Sequence, residues 1–124
     1  MSEPFRQKLS QLSGTADHLT ASASVPADSL WYAGHFPGTP LLPGIAILAL
    51  AKEAICEAEL REGRRVMMTG VGRVRFRLPV RPDDRMDIKI FREKRNGGFT
   101  YCFSVFLSDE LACAGFFAAR AVAG

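Results

Sequence analysis

The sequence predicts an α+β domain in which a long antiparallel sheet curls round one central helix. Three observations carry that expectation. A stretch without breakers, from about Pro43 to Glu62, opens on seven apolar residues in succession, Ile45 to Ala51. Runs of period-two alternation stand on either side of it, and such runs mark half-buried strands. Asn96-Gly97 joins two of them as a hairpin signal, because both positions tolerate positive φ. A helix that is hydrophobic on every side is expected to be buried on every side. In a chain of 124 residues a sheet wrapped around the helix would have to cover it.

Taken in order, residues 5–12 fit a short strand or a short helix equally, and Ser13-Gly14 marks a turn. From Asp17 to Pro26 the residues Leu19, Ala21, Ala23 and Val25 alternate with His18, Thr20, Ser22 and Ser24. That is a half-buried strand with His18 on its polar side. Asp28 to Tyr32 leads into a loop through the aromatic pair Trp31-Tyr32. Pro43 suits the first turn of the helix, where its missing N–H would have no partner anyway, and Gly63 is the stop. Val66 to Leu78 reads as a strand that ends in Arg73-Val74-Arg75-Phe76-Arg77-Leu78, with the arginines on one side. Pro79 to Asp84 turns the chain. The hairpin arms are Arg85 to Arg95 and Gly98 to Leu107, the second with Phe99, Tyr101, Phe103, Val105 and Leu107 on one face. Ser108-Asp109-Glu110 is a further turn, and Leu111 to Val122 is the last strand. Neither a repeat nor a linker divides the chain, so residues 1–124 are expected to form one domain.

Composition narrows the function classes. Three widely spaced cysteines, Cys56, Cys102 and Cys113, suit neither a disulfide framework nor a metal site, and point to reduced thiols in the cytoplasm. The start of the chain shows no signal peptide. The longest uncharged run, Ser29 to Ala51, has the roughly 20 residues that a bilayer needs. Its three prolines and its histidine argue against a span. No metal, flavin or nucleotide signature appears, so no cofactor is expected. Net charge is −3 over residues 1–60, +7 over 61–95 and −1 over 96–124. The basic middle third is either a solvated face or a dock for an acidic partner. Nucleic acid is disfavoured as that partner, because the basic residues alternate along strands without stacking aromatics on the same face.

The densest constraint is Gly34-His35-Phe36-Pro37-Gly38-Thr39-Pro40-Leu41-Leu42-Pro43-Gly44. Its prolines fix their own φ and bias the residue before them. A histidine therefore lies on a prescribed loop that opens onto a helix N-terminus, where free N–H groups and a partial positive charge suit an oxygen gaining negative charge.

This stretch, with Val74-Arg75-Phe76-Arg77-Leu78-Pro79-Val80-Arg81-Pro82-Asp83-Asp84, resembles the 3-hydroxyacyl-acyl-carrier-protein dehydratases of fatty-acid synthesis. The resemblance covers most of the chain from Asp17 onward and implies the hot-dog fold. It also implies a dimer or higher oligomer with the acyl tunnel at the subunit interface. By the same resemblance His35 takes the proton α to the thioester carbonyl, and the Gly44 amide holds the thioester oxygen. Phe36, Pro37, Gly38, Leu41, Leu42, Pro43 and Ile45 would border the substrate. The family's carboxylate, which handles the departing hydroxyl, falls on Ala49 in this chain. Glu53, one helical turn further on the same face, is one replacement; a different partner subunit in a heterodimer is another. Arg73, Arg75, Arg77 and Arg81 are expected to dock an acidic carrier protein. Two alternatives stand beside the dehydratase. One is a hot-dog thioesterase, although those enzymes usually place a carboxylate to activate water. The other is a non-catalytic acyl-binding subunit, for which Ala49 is the main support.

Overall fold

The structure, a computed structural model, describes residues 8–32 and 41–122. Six strands form one antiparallel sheet in the order β1-β2-β4-β5-β6-β3. They are β1 (Lys8–Gly14), β2 (His18–Ser24), β3 (Val66–Phe76), β4 (Met86–Arg95), β5 (Gly98–Leu107) and β6 (Glu110–Ala121). A single 3₁₀ turn, Leu30–Tyr32, follows β2, and α1 runs from Gly44 to Arg61. The segment that fits strand or helix equally is the edge strand β1, kinked at Gln11 (φ 51°), where its register against β2 shifts.

The alternation in β2 places Leu19, Ala21 and Ala23 in the core and leaves His18 and Thr20 outside. On β5 the inward residues Tyr101, Phe103 and Val105 meet Ile88 and Ile90 of β4. Ala46, Ile47, Leu50, Ala51, Ala54, Ile55 and Ala58 of α1 lie in the same apolar cluster. Each large side chain buried there contributes about 1.5–3 kcal/mol.

Three expectations need correction. The sheet is open, so it covers one side of α1 only: Ile45 is 67% exposed, and Leu48 and Ala49 are half-buried. At the β4–β5 turn only Gly97 takes positive φ (76°). Both turn positions do so instead at Ser108 (46°) and Asp109 (71°), between β5 and β6. The arginine row is also broken. Arg73, at φ 51°, marks a bulge where three steps of β3, Gly72 to Arg75, oppose two of β6, Phe116 to Ala114.

Candidate active site

The start of α1 is built from three directions. Pro43 stands just before the helix with extended geometry (φ −61°, ψ 146°), so the chain turns into α1 without a side-chain cap. Leu42 donates its N–H to Val80 O at 2.8 Å, which pins the end of the loop to the turn after β3. The start of the loop is tied to the same turn. Val25 O accepts the Tyr32 hydroxyl at 3.1 Å and the Asp83 N–H at 2.9 Å. Burial, with Asp83 and Asp84 nearby, pushes the Tyr32 hydroxyl up to about 12, so it remains a donor.

Beside the Leu42–Val80 tie lies a groove of about 230 Å³ walled by Leu41, Leu42, Gly44, Ile47, Phe76 and Arg77. Phe76 comes off the end of β3 and covers Gly44, where an added Cβ would stand 2.9 Å from both ring Cε atoms. As the first helical residue, Gly44 has no acceptor for its N–H within the helix. The groove thus combines apolar walls, a backbone donor at a positive helix end and one cation at its rim. Chemically this suits an acyl chain whose carbonyl oxygen approaches Gly44.

A family profile described as ApeI dehydratase, of the ApeI-like group, matches residues 11–115. The chain belongs to the ApeI-like dehydratase family. The FabZ 3-hydroxyacyl-acyl-carrier-protein dehydratase of Haemophilus influenzae is 35% identical over 101 residues, 77% of this chain and 68% of that protein. Among solved structures, the dehydratase heterocomplex ApeI:P of Xenorhabdus doucetiae matches with TM-score 0.68 and 20% identity, over 96% of this chain and 99% of that one. A hypothetical thioesterase of Streptococcus pneumoniae, solved with coenzyme A, matches with TM-score 0.72 and 13% identity, over 94% and 86% of the two chains. The structural likenesses establish the hot-dog fold.

Within this ApeI-like chain, Leu41, Leu42 and Gly44 meet in the groove, Pro43 leads into it and Ile45 faces outward from the helix. His35, Phe36, Pro37 and Gly38 lie outside the described residues. Ala49 is about 7 Å along the helix axis from Gly44 and half-buried. Glu53, about 13 Å along, lines a separate cleft with Leu9, Gln11, Leu12, Glu57 and Arg61, beside β1. Of the four arginines, Arg77 borders the groove and Arg81 sits in the turn, its N–H on Asp84 Oδ2 at 2.9 Å. Arg73 borders a hollow on the outer side of the sheet with Cys102 and Phe116, and Arg75 opposes the outward Ala114. The bulge and the end of β3 separate these two from Arg77. Among the described residues there is no group of three or more His, Cys, Asp or Glu that could hold a metal. Nor, among the described residues, is any helix long and apolar enough to cross a membrane.

Sequence reasoning missed Phe76 as a wall of the groove. It also missed a charged cluster at the far end of α1. Glu59 is fully buried (0% exposed) and accepts from the Tyr101 hydroxyl, from Arg92 at 2.8 and 3.0 Å and from Arg64 at 2.9 Å. Burial by itself would raise the Glu59 carboxyl, but the Tyr101, Arg92 and Arg64 hydrogen bonds outweigh it and hold the group below the ordinary carboxylate value. Burial also pushes Tyr101 well up, and the Glu59 charge adds to it. The Arg92 side chain, 6% exposed, reaches Asp17 at 3.0 Å as well. Asp17 belongs to the turn before β2, so helix, sheet and turn share one ionic knot.

Proposed function

We propose that this chain eliminates water from 3-hydroxyacyl thioesters presented by an acyl carrier protein. The observation that carries the reading is the groove at Gly44, in a chain whose His35 loop matches the FabZ-type signature. The thioester carbonyl oxygen lies at the Gly44 N–H, which stabilises the charge as it develops. His35 removes the proton α to that carbonyl, a role that histidine side chains fill at neutral pH. The Cα electrons form the new double bond as the C3–oxygen bond breaks, and the departing hydroxide leaves as water once it receives a proton.

That proton needs an acid, and Ala49 supplies none. Two sources fit. A partner chain carrying a carboxylate at the corresponding position would complete the site; the Xenorhabdus relative is itself a heterocomplex. Glu53 acting through water is the second. Association is supported by apolar surface around the helix start and the sheet edge: Ile45, Met67, Val71 and Phe76 are all exposed. At least a dimer, homomeric or heteromeric, is therefore part of the reading. Arg77 and Arg81 are the cations we assign to the carrier. The reading puts the protein in the cytoplasm, where Cys56, Cys102 and Cys113 stay free thiols.

The test is interconversion of 3-hydroxyacyl and 2-enoyl thioesters by the purified protein and by His35→Ala. Loss of turnover by roughly 10²–10⁴-fold in the variant supports the reading. Release of free thiol instead would make the protein a thioesterase. A second reading, an acyl-binding subunit without its own activity, is favoured by Ala49 alone; tight acyl binding without turnover would establish it.

A further inference from the structure

The sheet surface turned away from α1 is not plain solvated surface. Register places His18, Phe91, Cys102, Phe116 and Gly72 in one row across five strands. Phe91 is 52% exposed, Cys102 is exposed, and the Phe116 ring covers Gly72, where a Cβ would lie 2.6 Å from Cζ. Thr20, Lys89, Ser104, Ala114 and Arg75 form the next row. Contrary to the pattern expected from sequence, the cations Arg73, Arg75, Lys89 and Arg95 share this face with Phe91, Phe106 and Phe116. Two hollows flank the rows: one of about 490 Å³ beside Arg73, Arg95 and Phe116, and one of about 460 Å³ beside Arg85, Lys89 and Phe106.

The charges on this face do not cancel. Asp87 is held by Arg85 at 3.2 Å, and Glu93 by Arg95 at 2.9 Å. Arg73, Arg75 and Lys89 have no ion pair with another described residue, and Lys89 lies 5.2 Å above the Phe106 ring. An apolar row and a row carrying the cations Lys89 and Arg75 thus run side by side, about 7 Å apart along the strands. Lys89 and Arg75 are three strand spacings apart, about 14 Å, which is about two and a half turns of an α-helix.

We propose that this outer face docks an acidic amphipathic helix of a partner protein, laid across the strands. Its apolar side lies on Phe91, Cys102 and Phe116, and its carboxylates lie over Lys89 and Arg75. A second copy of this chain would set the same three cations against each other, which disfavours it. The carrier is not the occupant assigned, since its thioester must reach Gly44 on the opposite side of the sheet.

Cys102 lies within the apolar row and is the one exposed thiol among the described cysteines, so it can carry a photo-crosslinker. The full-length protein, labelled there, is irradiated in extract of its source cells and the adduct peptides are sequenced. The expected adduct is an Asp- and Glu-rich amphipathic segment of another protein. That protein, once purified, should bind roughly tenfold more weakly to Lys89→Glu than to wild type and lose affinity as salt rises. Thioester turnover by Lys89→Glu should be unchanged, which separates this surface from the reading of the groove. Phe91→Ser should also weaken binding, and identical far-ultraviolet dichroism of the variants would show that the fold is intact. Adducts confined to this chain's own peptides, to nucleic acid or to an acyl carrier protein would overturn the proposal. So would the lack of any adduct, or a partner indifferent to Lys89→Glu.

Discussion

Phe76 lies over Gly44, so the end of β3 closes onto the first residue of α1 with no room for a side chain between them. Any larger residue at position 44 would have to push aside the end of the Phe76 side chain, which is 52% exposed. The strand that follows the helix in sequence is what roofs the helix start.

Gly44→Ala should therefore cost about 1–3 kcal/mol, the usual penalty for forcing a methyl into a filled space. Shortening the roof in the same chain, with Phe76→Leu, should recover part of that loss. Urea unfolding of the wild type, both single variants and the double variant gives the coupling directly. Additive effects would mean that the ring and the glycine do not touch in solution.

The strands were readable because their residues alternate. Leu19, Ala21 and Ala23, and Tyr101, Phe103 and Val105, could face the core in one register only. The helix was readable for the opposite reason: nothing between Gly44 and Arg61 breaks it. Its degree of cover was not. Sequence periodicity says which residues are apolar but not how far an open sheet reaches round them, and Ile45 is left outside. In the candidate site, the helix start at Gly44 was legible from the prolines before it, whereas Leu41 and Leu42 came only with the family resemblance. Phe76 was not, because it belongs to a strand whose alternation is broken by the bulge at Arg73. The ionic knot did leave a trace. Glu59 continues the buried stripe of Ala51 and Ile55 at four-residue steps, and Arg92 continues that of Ile88 and Ile90 at two-residue steps. A charge on each of two apolar stripes is the signature of a buried pair.

Glu59→Leu should be the most damaging single change at that end of the helix. It leaves Arg92 buried with only Asp17, a 60% exposed carboxylate, as its counter-charge. Breaking a buried pair on one side costs about 3–5 kcal/mol. Removing both charges, with Glu59→Leu and Arg92→Leu together, should cost less than Glu59→Leu alone. Chemical denaturation of the three variants decides it.

The same knot sets a pH dependence. The folded-state value of Glu59 lies below its ordinary 4.5, so the group adds stability that is fully present above about pH 4.5 and lost as pH falls through the lower folded value. Wild type should therefore lose stability on acidification more steeply than Glu59→Gln. The gap between their urea midpoints at pH 7 should narrow towards pH 3. A gap that holds constant would mean that the carboxylate is not held ionised by Tyr101, Arg92 and Arg64.

The three thiols should separate cleanly in a labelling time course. Cys102 is exposed on β5 and should react first with a neutral maleimide. Cys56 is half-buried on α1; burial raises its thiol, Lys52 opposes the rise and Glu59 adds to it, so it should follow. Cys113 is fully buried on β6, and burial pushes its thiol up to about 11. At pH 8 roughly one part in a thousand of it would be thiolate, and reagent reaches it only when the sheet opens. Its labelling rate should therefore follow global unfolding, rising with urea in parallel with the loss of structure. Labelling of Cys113 at the rate of Cys102 would mean that the Cys113 thiol is not buried in the core.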